Sequence, residues 1–245
     1  MVAKGFESRF QRRLCRMEND LLEGFARYLE PQTALVRSRA NQVFPSIAIS
    51  RQMGAGGTEI GELLANRLAD YSRHAWTVFD RSLAELIWKN HNLPDPVDRF
   101  LREEVPKSVQ DTVQELLGVR TTGPHMVEHT AVTVLRLAYL GNAIFIGRGA
   151  NIITASQKSV LHVRLMAPFA RRVKQIEEHH RLSTQEAVEL ISATDDTRRR
   201  YVKHYFRAEI DDPLNYHFVI NTGLTEHDEA ARIIAEATMN LPSVG

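Results

Sequence analysis

The sequence is almost without cysteine, since Cys15 is the one example among 245 residues. A single thiol excludes an internal disulfide and a cysteine-based metal cluster, and it predicts a reducing, cytoplasmic setting. The chain also lacks an apolar run long enough to cross a bilayer and the apolar core of a signal peptide. Neither membrane insertion nor secretion is therefore expected.

The chain carries almost no net charge. Lysine and arginine number 31 against 30 aspartates and glutamates, which leaves a formal charge of +1. Such a balance provides no overall attraction for nucleic acid or for an anionic membrane, so neither is an expected partner. Hydrophobic residues make up 43% and charged residues 25%, which is typical of one large globular domain, with or without a small extension.

The most informative segment is a glycine-rich turn at residues 50–58, Ser-Arg-Gln-Met-Gly-Ala-Gly-Gly-Thr. It follows a β-branched apolar run and precedes a helical pattern that places Ile60, Leu64 and Leu68 on one face. Backbone N–H groups in a strand–turn–helix unit can bind phosphate oxygens, and the helix dipole favours negative charge there. A tight βα turn without a ligand explains the same residues, so both interpretations stay open at this point.

The turn lacks the lysine of the usual phosphate-binding pattern, G-x-x-x-x-G-K-[ST]. In that register Arg51 replaces the first glycine and Gly57 replaces the lysine, while Gly56 and Thr58 match. Phosphoryl transfer depends on positioning and on positive charge, so an arginine from elsewhere can replace the lysine. Arg51 is the nearest candidate, and a surface arginine paired with an acid is the alternative.

Five short apolar strands alternate with helical patterns along the chain. The predicted strands are residues 45–50, 75–79, 143–146, 160–165 and 217–220. The alternation predicts an α/β fold with a doubly wound, mostly parallel five-stranded sheet flanked by helices. Ligands bind such sheets at the carboxyl ends of the strands. Polar residues follow four of these strands, at residues 50–58, Asp80, Arg148 and Asn221-Thr222.

Residues 1–44 form a predicted helical extension ahead of the main domain, residues 45–245. The apolar stripe of the extension ends at Pro31. We expect the extension to serve either as a docking segment or as a homodimerisation arm, and the sequence does not choose between these two roles.

Five segments resemble, in order, the cytidylate kinase-like branch of the P-loop nucleoside monophosphate kinases. Ile49–Gly57 is similar to the branch's I-S-R-(Q/E)-x-G-(S/A)-G-G turn, and Asp80 stands where the family has an aspartate ahead of its monophosphate-binding helix. Ile146–Asn151 resembles the G-R-G-A-N segment. Asp195–Tyr201 resembles D-x-x-R-x-x-Y of the lid, and Asn221-Thr222 the segment after the last strand.

The resemblance covers roughly residues 46–240 and implies a three-layer P-loop kinase fold. It implies an acceptor-binding helical insertion near residues 91–140 and a lid near residues 169–207. The implied activity is phosphoryl transfer from ATP, with Mg²⁺, to a nucleoside monophosphate such as CMP or to a similar small acceptor.

The resemblance also implies a role for particular residues. Asp80 would contact the acceptor nucleoside and Arg148 its monophosphate, a task that suits a bidentate guanidinium. Arg172 and Arg198 hold positions of lid arginines that stabilise charge on the transferring group, and Arg51 is the third predicted catalytic arginine. The residues that would wrap the donor phosphates are Gly54, Ala55, Gly56, Gly57 and Thr58.

Two departures from the family pattern leave two functions open. Gly57 stands in place of the lysine, and Ile146 stands where an acid would precede Gly147. The lost lysine favours a nucleotide-binding protein with little or no transfer, such as a sensor, whereas the set of arginines favours an enzyme. No protein-held metal site is expected, because His179-His180 and His204 lack acidic or cysteine partners at ligand spacing.

Overall fold

The computed structural model describes residue 23 and residues 25–29, 44–80 and 125–241. Its elements, in chain order, are β1 (Ser46–Arg51), α1 (Gly57–Ser72), β2 (Thr77–Phe79), α2 (His125–Leu140), β3 (Ala143–Ile146), α3 (Ala150–Ile153), β4 (Val160–Met166), α4 (Phe169–His180), α5 (Thr184–Phe206), a 3₁₀ turn (Pro213–Asn215), β5 (Phe218–Asn221) and α6 (His227–Met239). Each of the five predicted strands lies within two residues of its observed bounds.

The strands form one fully parallel sheet in the order β2-β3-β1-β4-β5. β1 lies at the centre, with β3 on one side and β4 on the other. Because the chain crosses to opposite sides of β1, a crevice opens beyond the carboxyl end of that strand. The predicted α/β sheet is confirmed, and all of its strand pairs are parallel rather than most of them.

Helices cover both faces of the sheet because successive strand residues point to opposite sides. Ile47 and Ile49 pack with the buried residues of α1 and α6, whereas Ala48 and Phe145 pack with those of α2 and α3. A smaller apolar cluster joins α4 to α5. The fold is therefore three-layered, with the α4–α5 pair as an additional helical unit.

Residues 25–29, which belong to the predicted extension, are helical, and their buried side chains lie in the core of the main domain. Phe25 packs edge-on against Phe79, at 5.3 Å between ring centroids, and the Tyr28 hydroxyl donates to the carbonyl of Gly141. Phe25, Tyr28 and Leu29 are each at most 1% exposed. This part of the apolar stripe is thus used within one chain, while the homodimerisation arm stays a prediction.

Parts of two predicted segments lie outside the described residues. Most of residues 1–44 does so, and the acceptor-binding insertion predicted at residues 91–140 is described only from residue 125 onward, as α2. Its role at the acceptor site stays a prediction. Among the described helices, none has the length and apolarity that a membrane crossing needs.

A buried histidine joins β4 to the end of α3. His162 is 6% exposed, and its Nε2 lies 2.9 Å from Thr154 Oγ1. Because the Thr154 hydroxyl donates its own proton to Ala150 O, Nε2 of His162 is the donor in this pair. Burial lowers the pKa of His162 to about 4, and the neighbouring His217 ring adds to the shift. His162 is therefore neutral in the folded protein.

We expect this histidine to make the protein acid-sensitive. The pKa is about 4 when folded and about 6.5 when unfolded, so the unfolded chain binds the proton first. The contribution to stability is complete above pH ~6.5 and is lost as the pH falls towards ~4, by at most about 1.4 kcal/mol per pH unit. Urea unfolding between these pH values measures the slope. A His162→Gln variant with an unchanged slope would contradict the assignment.

Candidate active site

Two loops meet at the carboxyl ends of the central strands. The glycine turn joins β1 to α1, and residues 147–149 join β3 to α3. The turn is tied to the neighbouring strand, since the Gln52 amide donates to Leu165 O at 3.0 Å and Gln52 Oε1 accepts from the Ala167 amide. Both loops therefore have a fixed place beside the crevice beyond β1.

The side chain of Arg51 bridges these two loops. A Cβ atom added to Gly57 would lie 2.8 Å from Arg51 Cγ, so the aliphatic part of the arginine passes directly over Gly57. A Cβ added to Gly147 would overlap Nη1 of the same arginine. The guanidinium thus lies beside the loop after β3, and glycine is required at both positions for the arginine to take this path.

Burial gives the Arg51 charge an unusual environment. Burial, with a smaller contribution from the Arg198 charge and against the opposing effect of Asp80, lowers the pKa of Arg51 to about 9. The group still carries its proton at neutral pH. No hydrogen bond joins the Arg51 guanidinium to another side chain or carbonyl within the described ranges, so the arrangement favours an anion beside it.

The loop after β3 is held in a left-handed conformation. Gly147, Arg148 and Gly149 have φ values of 83°, 56° and 72°. The Phe206 ring lies against Gly149, where a Cβ would overlap the ring. Glycines on either side of Arg148 therefore let Arg51 and Phe206 approach the backbone closely, and they fix where Arg148 leaves the chain.

Asp195 on α5 joins the α4–α5 helical unit to the glycine turn. One carboxylate oxygen accepts from the Met53 amide at 2.8 Å, and the other lies 2.6 Å from Nη1 of Arg172. Arg172 also donates to Met53 O and Ala167 O and is only 7% exposed. Arg198 reaches Asp195 at 3.5 Å and the carbonyl of Arg51 at 3.4 Å. The α4–α5 unit and the glycine turn are thus directly connected.

A cavity of about 330 Å³ lies between α5 and the ends of β1 and β3. It brings together Arg51, Arg148 and Arg198, which are far apart in the sequence. Its other lining residues are Ser50, Ile146, Gly147, Gly149, Asn151, Ala193, Thr194, Thr197, Tyr201, Val202 and Ile210. Three of the predicted site arginines therefore converge, whereas Arg172 lies behind the turn and outside this lining.

Asp80 lines a smaller neighbouring pocket of about 50 Å³. Arg148 contributes to the walls of both pockets, and Thr130 and Thr133 of α2 face the smaller one. Asp80 and Arg148 thus line one pocket, and their role in acceptor binding stays a prediction.

The predicted donor-phosphate residues form the start of α1. Gly54 and Gly56 have φ values of 78° and 76°, and α1 begins at Gly57 without a side-chain cap, which leaves its first N–H groups suited to an oxyanion. Ala55 is buried, and its carbonyl accepts from the Thr222 hydroxyl at 3.2 Å. Thr58 is exposed in the first helical turn.

Sequence reasoning missed two features of this site. His227, the first residue of α6, lies so close to Gly56 that a Cβ there would overlap the imidazole. Asp195 was considered only as the first residue of the D-x-x-R-x-x-Y segment, and no local pattern in the sequence indicates its hydrogen bond to the Met53 amide. No local pattern indicates the position of His227 either, because this residue contacts the turn only through the packing of α6 on α1. The spacing of three between Asp195 and Arg198 is the one sequence signal here, since it resembles the family's D-x-x-R-x-x-Y segment.

One oxygen-bearing side chain of the glycine turn fits Mg²⁺, which prefers hard oxygen ligands. It is the hydroxyl of Thr58 in the first turn of α1. Within the described parts of the chain, no group of three or more histidine, cysteine, aspartate or glutamate side chains could hold a metal ion. This sparse protein set suits an ion that keeps waters and binds substrate phosphates.

Comparison with solved structures finds similar folds at low sequence identity. An uncharacterized protein from Eubacterium ventriosum ATCC 27560 has a TM-score of 0.56 and 16% identity, over 80% of this chain and 99% of that one. The shikimate kinase of Acinetobacter baumannii in complex with shikimate has a TM-score of 0.39 and 16% identity, over 80% and 93%. The shikimate kinase of Bacteroides thetaiotaomicron has a TM-score of 0.42 and 14% identity, over 80% of this chain and 99% of that one.

The search of curated proteins finds no match. The model of the cytidylate kinase-like family, by contrast, matches residues 46–224. This match, the parallel sheet and the glycine turn after its central strand together confirm the predicted P-loop kinase fold. The chain belongs to the cytidylate kinase-like family.

Proposed function

We propose that the protein transfers the γ-phosphoryl group of ATP, with Mg²⁺, to a nucleoside monophosphate such as CMP or to a similar small acceptor. An oxygen of the acceptor phosphate attacks the γ-phosphorus, the bond to the ADP oxygen breaks, and a diphosphate and ADP leave. The reaction takes place in the cytoplasm, a setting that the single cysteine fits.

The observation that carries this proposal is the convergence of Arg51, Arg148 and Arg198 on one cavity beside the glycine turn. Guanidinium groups around one space repel each other, and an anion that binds among them offsets this repulsion. Phosphoryl transfer brings several anionic oxygens to one place and needs positive charge around them. The cavity therefore suits this reaction class.

The donor triphosphate binds at the turn, with the backbone from Gly54 to Thr58 around its oxygens. Arg51 takes the part of the missing lysine, since its side chain passes over Gly57 before its guanidinium reaches Gly147. From this position it contacts donor and acceptor phosphates at once. Charge that develops between them in the transition state is then stabilised by one group.

The acceptor binds on the other side of Arg51. Arg148 holds its phosphate, and Asp80 in the adjoining pocket contacts its organic part. Arg198 reaches the cavity from α5 and stabilises charge on the transferring group. Arg172 acts indirectly, because its bonds to Asp195 and to Met53 O hold the turn in place. We assign it as a positioning residue.

Mg²⁺ would be held by the Thr58 hydroxyl, the substrate phosphates and water. When bound, it neutralises charge on the phosphate oxygens of the donor. The protein residues supply the remaining positive charge and the orientation of the acceptor.

A nucleotide-binding protein with little or no transfer is the second candidate. Gly57 in place of lysine and Ile146 in place of an acid favour it, because both usual charges of the donor site are absent at these positions. This function predicts nucleotide binding with turnover at background.

Turnover of ATP with a panel of CMP, UMP, AMP and GMP separates the two functions.

The assignment of Arg148 to the acceptor is tested by binding measurements. Arg148→Ala should weaken binding of the monophosphate by about 1.5–3 kcal/mol, the scale of a hydrogen bond to a charged group. ATP affinity, measured by titration calorimetry, should stay nearly unchanged.

Arg200→Ala is the matched control, because Arg200 lies on α5 with 72% of its side chain exposed and pairs with Asp196. It should leave both affinities as they are. Equal losses of ATP and monophosphate binding in Arg148→Ala would show that donor and acceptor sites have been wrongly separated. Wild-type protein without transfer to any acceptor in the panel would favour the binding-only function.

A further inference from the structure

The pocket of about 50 Å³ that Asp80 lines shares its apolar wall with a segment near the start of the chain. Five of its lining residues belong to one buried cluster, namely Phe79, Val134, Leu137, Phe145 and Ala150. The same cluster contains Phe25, Tyr28 and Leu29, which precede residues 46–224 of the family match. Side chains outside the matched range therefore pack behind this pocket.

Aromatic contacts join this segment to one side of the pocket. Phe25 packs edge-on against Phe79 at 5.3 Å between ring centroids, and Tyr28 does so at 5.5 Å. The other neighbour of Phe79 is Phe145, whose ring stacks on it at 5.7 Å and also lines the pocket. Phe79 directly precedes Asp80 in the chain. Two rings of the extension thus fix the residue from which the Asp80 backbone continues.

The strand before Asp80 depends on this packing more than the other strands do. β2 has three residues, pairs with β3, and has no neighbour on its other side in the described sheet. A short strand that is paired on one side has few ladder hydrogen bonds, so side-chain packing largely determines its position. Phe25 and Tyr28 therefore help to set where β2 ends.

A hydrogen bond joins Tyr28 to the opposite side of the pocket. Tyr28 is 1% exposed, and its hydroxyl donates to the carbonyl of Gly141, the residue directly after α2. Four residues of α2 line the pocket, namely Thr130, Thr133, Val134 and Leu137. The same tyrosine thus contacts the Phe79 ring and the end of the helix that forms the facing wall.

We propose that Phe25 and Tyr28 are positioning residues of the acceptor pocket, which hold Phe79, and through it Asp80, at a fixed place opposite α2. This inference rests on the proposed function and deepens it, because it gives residues of the N-terminal extension a part in acceptor binding. The donor site does not share this support, since Ala55 of the glycine turn belongs to the other large buried cluster.

Titration calorimetry of the full chain with CMP, UMP, AMP and GMP, beside a saturating non-hydrolysable ATP analogue, tests the inference. For the monophosphate that binds wild type most tightly, Phe25→Leu should raise the Kd by about fivefold to 30-fold, because the wall behind Phe79 loses a ring. Tyr28→Phe keeps the ring and removes the hydroxyl, so it should raise the same Kd by about threefold to tenfold. The Kd of the ATP analogue should stay within about twofold of wild type in both variants.

A double variant tests whether Phe25 acts through Phe79. Residues that act on a ligand through one shared contact are not additive. Phe79→Leu should itself raise the Kd of the monophosphate, and adding Phe25→Leu to it should raise this Kd by less than about twofold more. A general loss of stability would not produce this pattern. Fully additive losses would overturn the inference.

Leu68→Ala is the matched control, because Leu68 is fully buried in the other large cluster, away from this pocket. It should lower the stability to urea at least as much as Phe25→Leu and leave the Kd of the monophosphate within about twofold of wild type. An equal rise of this Kd in Leu68→Ala overturns the inference, as does an equal rise for the ATP analogue in Phe25→Leu.

Unchanged monophosphate affinity in Phe25→Leu and Tyr28→Phe also overturns it, and Tyr28→Phe alone decides if Phe25→Leu does not fold. If Arg148→Ala then still loses the monophosphate, the proposed function survives. Wild-type protein that binds none of the four monophosphates overturns both.

Discussion

Arg51→Ala should lower kcat by about 100-fold to 1,000-fold, while the Kd for ATP should rise by less than about tenfold. The reason is the position of the guanidinium between the two loops, where it passes over Gly57 and reaches Gly147. Charge on the transferring group is greatest in the transition state, so a contact made there appears mainly in kcat. Steady-state kinetics and ATP titration of the same preparation measure the two effects.

Arg51→Lys tests whether charge alone is sufficient. It keeps the positive charge and loses the planar fork that can contact two phosphates, so we expect a kcat between those of wild type and Arg51→Ala. Arg200→Ala, the exposed arginine of α5, should leave kcat unchanged. If Arg51→Ala raises the Kd for ATP and leaves kcat as it is, the arginine only binds the donor.

Gly57→Lys, which restores the usual lysine, should abolish most of the activity instead of raising it. A Cβ at position 57 lies 2.8 Å from Arg51 Cγ, so the new side chain displaces the arginine, and the two cations repel each other. Replacing both residues, with Arg51→Gly and Gly57→Lys, creates Gly-Gln-Met-Gly-Ala-Gly-Lys-Thr, which fits G-x-x-x-x-G-K-[ST] completely. The removed arginine leaves room for the lysine.

We expect the double variant to regain at least about tenfold in kcat/KM over Gly57→Lys alone, because neighbouring residues that share one space are not additive. Kinetics of the two single variants and the double variant complete this cycle. Additive losses would mean that Arg51 and the residue at position 57 act independently, and the arginine would then not replace the lysine.

The sequence shows only in part how the positive charge of Arg51 replaces that of the usual lysine. The register of the turn shows that Arg51 and Gly57 have exchanged the usual glycine and lysine. It does not show that the arginine passes over that same glycine, because the path of a long side chain depends on its neighbours in space. The second glycine on this path, Gly147, lies in another loop almost a hundred residues later.

The different positions of Arg172 and Arg198 could not be predicted from the sequence. The family resemblance places both arginines in one region and implies that both contact the transferring group. In the structure Arg198 lines the cavity, whereas Arg172 is held by Asp195, Met53 O and Ala167 O. The packing of α4 against α5 determines which of the two arginines lines the cavity, and no local sequence pattern indicates how these helices pack.

The sequence by itself determined the strands, the glycine turn and the carboxyl-end position of the polar residues. These follow from apolar periodicity and from backbone conformations that favour glycine, both of which are local properties. Only the tertiary structure decided that Arg51 bridges two loops, that the buried side chains of residues 25–29 complete the core, and that three distant arginines line one cavity. Each of these depends on contacts between distant segments, whose partners are selected by packing and burial of the whole domain.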